Sequence, residues 1–254
     1  VPGPRQASDF EVVALVASAG GLDALSAVLR DLPVDLPAAM IVQQHLGGRG
    51  STLPRILERR TRHRVGWAAD GAPLTPGRVS VCPPHRQLEV LPDGTCSLRP
   101  LAPLDQRPRP HDTLLTSLAD SFGSRAVAVV LSGSGSDAAA GVAALKARGG
   151  LVVAQSEDSA EYPSMPMAAA AAGADLVLPL HEIAGVLGDI TAGAPYRGRT
   201  TSATRTGRRS AMRARWPPPR SGSTAPRHRS AGCTPGRRTC ARWCASRWTH
   251  PSRR

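Results

Sequence analysis

VVALVASAGGLDALSAVL, residues 12–29, sets the architecture. Residues 12–16 are a short, Val-rich apolar run that reads as a strand buried on both faces. Ser18-Ala19-Gly20-Gly21 breaks the run, and Leu22, Leu25, Val28 and Leu29 then recur at helical spacing. A buried strand turning directly into an amphipathic helix opens a strand–helix–strand unit.

The same alternation continues outward. Strands are expected at 39–43, 126–131, 151–154 and 176–178. Helices are expected at 51–60 (with Ser51 as N-cap), 112–121, 137–147, 165–172 and 181–187. Residues 64–98 differ: short apolar pieces at 65–68, 78–81 and 88–91 are separated by Asp70-Gly71, Pro76-Gly77 and Asp93-Gly94. Such turn pairs between short strands predict a strand-and-hairpin excursion. The expected fold class is α/β, a doubly wound, mostly parallel sheet with helices on both faces and a β-hairpin excursion. No internal repeat is visible.

Three zones follow: a short lead at 1–8, one catalytic-sized domain at 9–190, and an Arg/Pro/Ser-rich tail at 191–254. The tail lacks periodicity and aliphatic core formers, so it is expected to be disordered; its vocabulary also matches GC-rich codons read out of frame. The formal net charge of +13 belongs to this tail. From Arg197 onward there are 16 Arg and no Asp or Glu, and subtracting them leaves −3 for residues 1–196. The domain is therefore mildly acidic, and no specific nucleic-acid partner is expected. Cys233, Cys240, Cys244 and His250 match no common zinc spacing. Only Cys82 and Cys96 fall in the domain, too few to staple it. No signal peptide or membrane-length apolar run is evident, so a cytoplasmic, non-inserted protein is expected.

Three segments carry candidate chemistry. Ser18 follows a strand on a tight turn and opens a helix, whose free N–H groups favour developing negative charge. His45 ends the second expected strand. Leu131-Ser132-Gly133-Ser134-Gly135-Ser136-Asp137 is a strand end, a Gly/Ser loop able to present backbone N–H groups, and an acidic residue at a helix start. Each segment has a bland reading: a structural Gly turn, a structural His, an Asp that caps its own helix. Jointly they set a Ser, a His and an Asp at the carboxyl edge of one sheet, where ligands bind. His63, His85, His111 and His181 read as loop or surface residues, and no metal site or cofactor is expected. A nucleotide-binding reading of the glycine loops lacks both G-x-G-x-x-G and G-K-[ST].

In order along residues 10–190, SAGGLDAL, IVQQHL, the Val81-Cys82-Pro83-Pro84 stretch, His111-Asp112, AVAVVLSGSGSDAAAG and Glu161-Tyr162 with Met165-Pro166 resemble the chemotaxis protein-glutamate methylesterases (CheB type). The resemblance implies a serine hydrolase that removes methyl esters from glutamates of methyl-accepting chemoreceptors, and in some members deamidates glutamine. It implies Ser18, His45 and Asp137 as catalytic triad. Ala19, Ser134 and Gly135 would supply oxyanion or backbone support, and Tyr162 and Met165 would belong to the substrate loop. A methyltransferase, fused or separate, is the implied partner. The family usually has Gly at positions 16 and 138, a basic residue near Met167, and in many members Met at position 134; this sequence has Val16, Ala138 and Ser134. These departures motivate a rival expectation, a catalytically weakened homologue that binds a receptor or partner. No receiver domain precedes the segment in this sequence, so control through a fused receiver is not expected.

Overall fold

The computed structural model describes residues 10–46, 51–102 and 109–193. The expected lead at 1–8 and all but the first three residues of the expected tail lie outside the described residues.

The main sheet has seven parallel strands in the order β3-β4-β2-β1-β7-β8-β9. Their ranges are β1 Val12–Ala17, β2 Ala39–Gln44, β3 Arg64–Trp67, β4 Arg78–Val81, β7 Ala126–Val130, β8 Leu151–Gln155 and β9 Leu176–Leu178. β5 (Arg86–Val90) and β6 (Cys96–Pro100) form a separate antiparallel hairpin. Of the three apolar pieces between 64 and 98, two therefore extend the main sheet, and the third opens the hairpin.

β1 is central, and all six of its residues are buried. Its alternating side chains divide the core. Val13, Leu15 and Ala17 pack with α1 (Gly21–Asp31), α2 (Leu53–Glu58) and α6 (Leu180–Thr191). Val12, Ala14 and Val16 pack with the hairpin and with α3 (Pro110–Phe122), α4 (Ala139–Ala147) and α5 (Ser164–Ala171). This is the period-two logic of a strand covered on both faces. Val16 is thus an ordinary core residue, paired with Gln43 and Val130; the turn begins only after Ala17.

From β1 the chain moves outward to one side through β2, then returns to the other side at β7. The switch point lies between β1 and β7, and the crevice beyond their carboxyl ends is where a ligand fits in such sheets.

Candidate active site

Ser18 leaves the end of β1 with its N–H bound to the Ser132 carbonyl (3.0 Å), and its own carbonyl accepts from Gly21 N–H (3.0 Å). Gly20 makes the turn at φ 69°, a region costly for other residues, and a Cβ there would stand 2.7 Å from Glu161 Oε2. His45 follows β2, and its N–H donates to the Ala17 carbonyl (3.2 Å). The strand register therefore sets the imidazole beside the serine: His45 Nδ1 lies 3.0 Å from Ser18 Oγ, and Nε2 lies 2.9 Å from Asp137 Oδ2. An ionised carboxylate only accepts, so Nε2 carries the ring proton and Nδ1 is free to accept from the hydroxyl.

Asp137 is not a helix residue. α4 begins at Ala139, and Asp137 sits in the preceding turn without capping its own helix. Its carboxylate instead accepts from the first turn of α3: Asp112 N–H to Oδ1 (3.0 Å) and His111 N–H to Oδ2 (3.2 Å). Burial alone would raise its pKa. The bond from His45, the field of His111 and the two N–H donors outweigh burial and hold the carboxyl below its usual range. Asp112 answers in kind, accepting from Ala138 N–H (3.1 Å) and Gly141 N–H (2.9 Å) of α4. Its other oxygen is ion-paired with Arg109 Nε at 2.8 Å, while Arg109 Nη2 donates to the Ser136 carbonyl (2.6 Å).

The glycine loop is pinned on all sides. Ser132 N–H donates to Gln155 Oε1 (2.9 Å), and Ser132 Oγ donates to the Ala19 carbonyl (2.9 Å) and accepts from Tyr162 N–H (3.0 Å). Gly133 N–H donates to the Tyr162 carbonyl (2.9 Å). A Cβ on Gly133 would lie 2.6 Å from Met165 Cε and 3.0 Å from Ser18 Cβ, so a side chain here requires the Met165 terminus to move and crowds Ser18. Gly135 N–H is taken by Ser164 Oγ (2.9 Å). Among the described residues the Ala19 and Ser134 N–H groups have no such partner, leaving them as the available donors of the three expected.

Met165, expected in the substrate loop, is 1% exposed: it shares the inner face of α5 with Ala169 and lies against the glycine loop. Tyr162 does reach solvent at 42% exposure. His63 and His111 are not surface residues but are 4% and 0% exposed, whereas His85 and His181 are exposed. His111 extends the buried face of α3 formed by Leu114, Leu115 and Leu118. That helical spacing is the signal that reveals it in the sequence.

His111 also stacks on His45, with ring centroids 4.1 Å apart and planes 15° from parallel. Ligand atoms of His45, His111 and Asp137 lie within 4.8 Å of one another. The two stacked rings, however, hold their in-plane lone pairs in separate, nearly parallel planes rather than aimed at one ion. Beside His45 lies a cavity of about 310 Å³ whose lining includes Gln44, Cys82, Pro84, His85 and Leu101. Burial, with Cys96 nearby, pushes the Cys82 thiol up to about 12, and burial pushes Cys96 to about 11. Neither supplies a thiolate nucleophile at neutral pH.

A family model described as CheB methylesterase matches residues 13–187. "Protein-glutamate methylesterase/protein-glutamine glutaminase 2" of Anaeromyxobacter dehalogenans (strain 2CP-C) is 41% identical over 74% of this chain and 55% of its own length. "Protein-glutamate methylesterase/protein-glutamine glutaminase 1" of Hahella chejuensis (strain KCTC 2396) is 37% identical over 72% of this chain and 52% of its own. The chain thus spans about half the length of the curated relatives it matches. Among solved structures, the Thermotoga maritima CheB methylesterase catalytic domain superposes with a TM-score of 0.66 at 29% identity. That match covers 71% of this chain and 98% of the Thermotoga domain.

Proposed function

The chain belongs to the CheB methylesterase family, and on that premise we propose that it hydrolyses methyl esters of glutamate side chains in proteins, with Ser18 as nucleophile. The observation that carries this reading is the unbroken hydrogen-bonded path from Ser18 Oγ through His45 to Asp137. Ser18 Oγ attacks the ester carbonyl as His45 Nδ1 takes its proton. Asp137 keeps the proton on Nε2 and stabilises the imidazolium that forms. The Ala19 and Ser134 N–H groups receive the tetrahedral oxyanion; loss of one such donor costs roughly 10²–10³ in rate. His45 then protonates the departing methanol, and a water molecule activated by the same imidazole frees the glutamate carboxylate. With an amide in place of the ester, the same steps release ammonia, the glutaminase activity that the relatives' names print.

The substrates proposed are methyl-accepting chemoreceptors, whose methyl groups a methyltransferase must supply. The place of action proposed is the cytoplasm, and among the described residues no helix is long and apolar enough to cross a membrane. The test is methanol release from methylated receptor. Wild type is expected to release it, and a folded Ser18→Ala variant is expected not to. Release by both would remove Ser18 from the reaction, and release by neither would leave a receptor-binding homologue.

A further inference from the structure

His111 touches both partners of the nucleophile's proton path. Its backbone N–H donates to Asp137 Oδ2 (3.2 Å), the oxygen that also faces His45 Nε2. Its ring lies flat against the His45 ring at 4.1 Å. The side chain is completely buried, and the polar contact its ring makes is a weak one to the Ala17 backbone, short of a well-formed hydrogen bond. A poorly partnered polar ring is costly to bury. A leucine would instead continue the stripe of Leu114, Leu115 and Leu118. The position therefore holds a buried, poorly satisfied polar ring at the point where α3 meets His45.

Burial, reinforced by His45, pushes the His111 ring down to about 3; Asp137 and the Ala17 backbone oppose this only in part. The ring is thus neutral near pH 7, and a neutral flat face can lie against His45 both before and after His45 gains a proton, with no charge repulsion.

We propose that His111 is a positioning residue for the proton path. Its ring fixes the plane of His45 while its N–H fixes Asp137, so both nitrogens of His45 stay aligned through the transfer. This rests on Ser18 being the nucleophile.

The test compares full-length wild type with His111→Phe, which keeps a flat ring, and with His111→Leu and His111→Met, which keep apolar volume without one. Each is followed by its unfolding midpoint and by its rate of Ser18 phosphonylation with a fluorophosphonate, a readout that needs no knowledge of the ester. His111→Phe is expected to react within about threefold of wild type. His111→Leu and His111→Met are expected to react about tenfold more slowly, at unfolding midpoints equal to or above wild type. Activity falling while stability holds or rises separates positioning from packing, for which the two fall together. A His111→Leu or His111→Met variant that reacts as fast as wild type overturns the proposal, as does a loss that tracks stability across all three variants. A wild type that is folded but unreactive overturns the nucleophile assignment itself.

Discussion

Asp112 and Asp137 cap each other's helices. Asp137, in the turn before α4, receives the first N–H groups of α3, and Asp112, in the first turn of α3, receives those of α4. Helix N-termini carry unsatisfied N–H groups and positive potential, so each carboxylate is placed where a helix favours it. The exchange ties Asp137, the carboxylate facing His45, to a second helix rather than to its own.

Asp112→Ala leaves the Ala138 and Gly141 N–H groups without their acceptor and Arg109 without its ion pair. Urea unfolding is expected to show a loss of about 2 kcal/mol, typical of a lost cap with a charged acceptor. Phosphonylation of Ser18 is expected to slow as well, because α4 no longer holds the Asp137 turn. Asp112→Asn keeps one oxygen for the N–H groups and should lose about half as much. Equal stability of Asp112→Ala and wild type would show that the exchange carries no stabilisation.

Ala138 has φ 106°, where a side chain is strained, and it is completely buried. Ala138→Gly relieves that strain at the cost of a small buried methyl. It is expected to raise stability by about 1 kcal/mol in denaturant melts. A destabilised glycine variant would mean that the methyl's packing outweighs the backbone strain.

Gly133→Ala places a methyl against Met165 and Ser18 Cβ. The loop or the nucleophile must shift, and stability is expected to drop by about 1–3 kcal/mol together with phosphonylation. Met165→Ala alone is expected to cost about 2–5 kcal/mol by emptying core space, and less than that when added to Gly133→Ala, whose methyl fills part of the space. Serine chemistry stays impaired because the contact with Ser18 Cβ remains.

Acid sensitivity should be partly a histidine effect. The His111 ring is held to about 3 in the folded protein against about 6.5 when unfolded. The unfolded chain therefore binds the extra proton between those values. Stability associated with the neutral ring is complete above about pH 6.5 and is lost as pH falls toward 3. His63, also shifted down by burial, acts in the same direction. Urea midpoints measured from pH 7 to 4 should fall for wild type and fall less steeply for His111→Phe. Identical slopes would place the titrating group elsewhere.

Much of the fold was legible because burial on both faces leaves a plain mark: β1 and β7 are unbroken apolar runs, and β8 is apolar up to its last residue, Gln155. β3 and β4 were harder to place. β3 is an edge strand with Arg64 and Trp67 exposed, and Gly and Pro turns flank both, so local pattern alone does not separate main-sheet strands from a hairpin. The Ser18, His45 and Asp137 set was legible because each residue follows a strand at the same edge. What local sequence does not encode is the partner of a side chain far along the chain. Asp137 looks like a cap for the helix after it, yet it serves α3, and no local pattern marks that exchange. The resemblance put Tyr162 and Met165 in one loop, and no local pattern shows that Met165 lies on the buried face of α5 while Tyr162 reaches solvent.

The path from Ser18 to Asp137 joins three neighbouring strands, β2, β1 and β7, across gaps of 27 and 92 residues. The serine and histidine come from one early strand–helix–strand unit, and the acid arrives only when β7 closes the long loop onto β1. Long loops are entropically slow to close. The set is complete only where β7 has joined β1: without that pairing the carboxylate that orients His45 is missing.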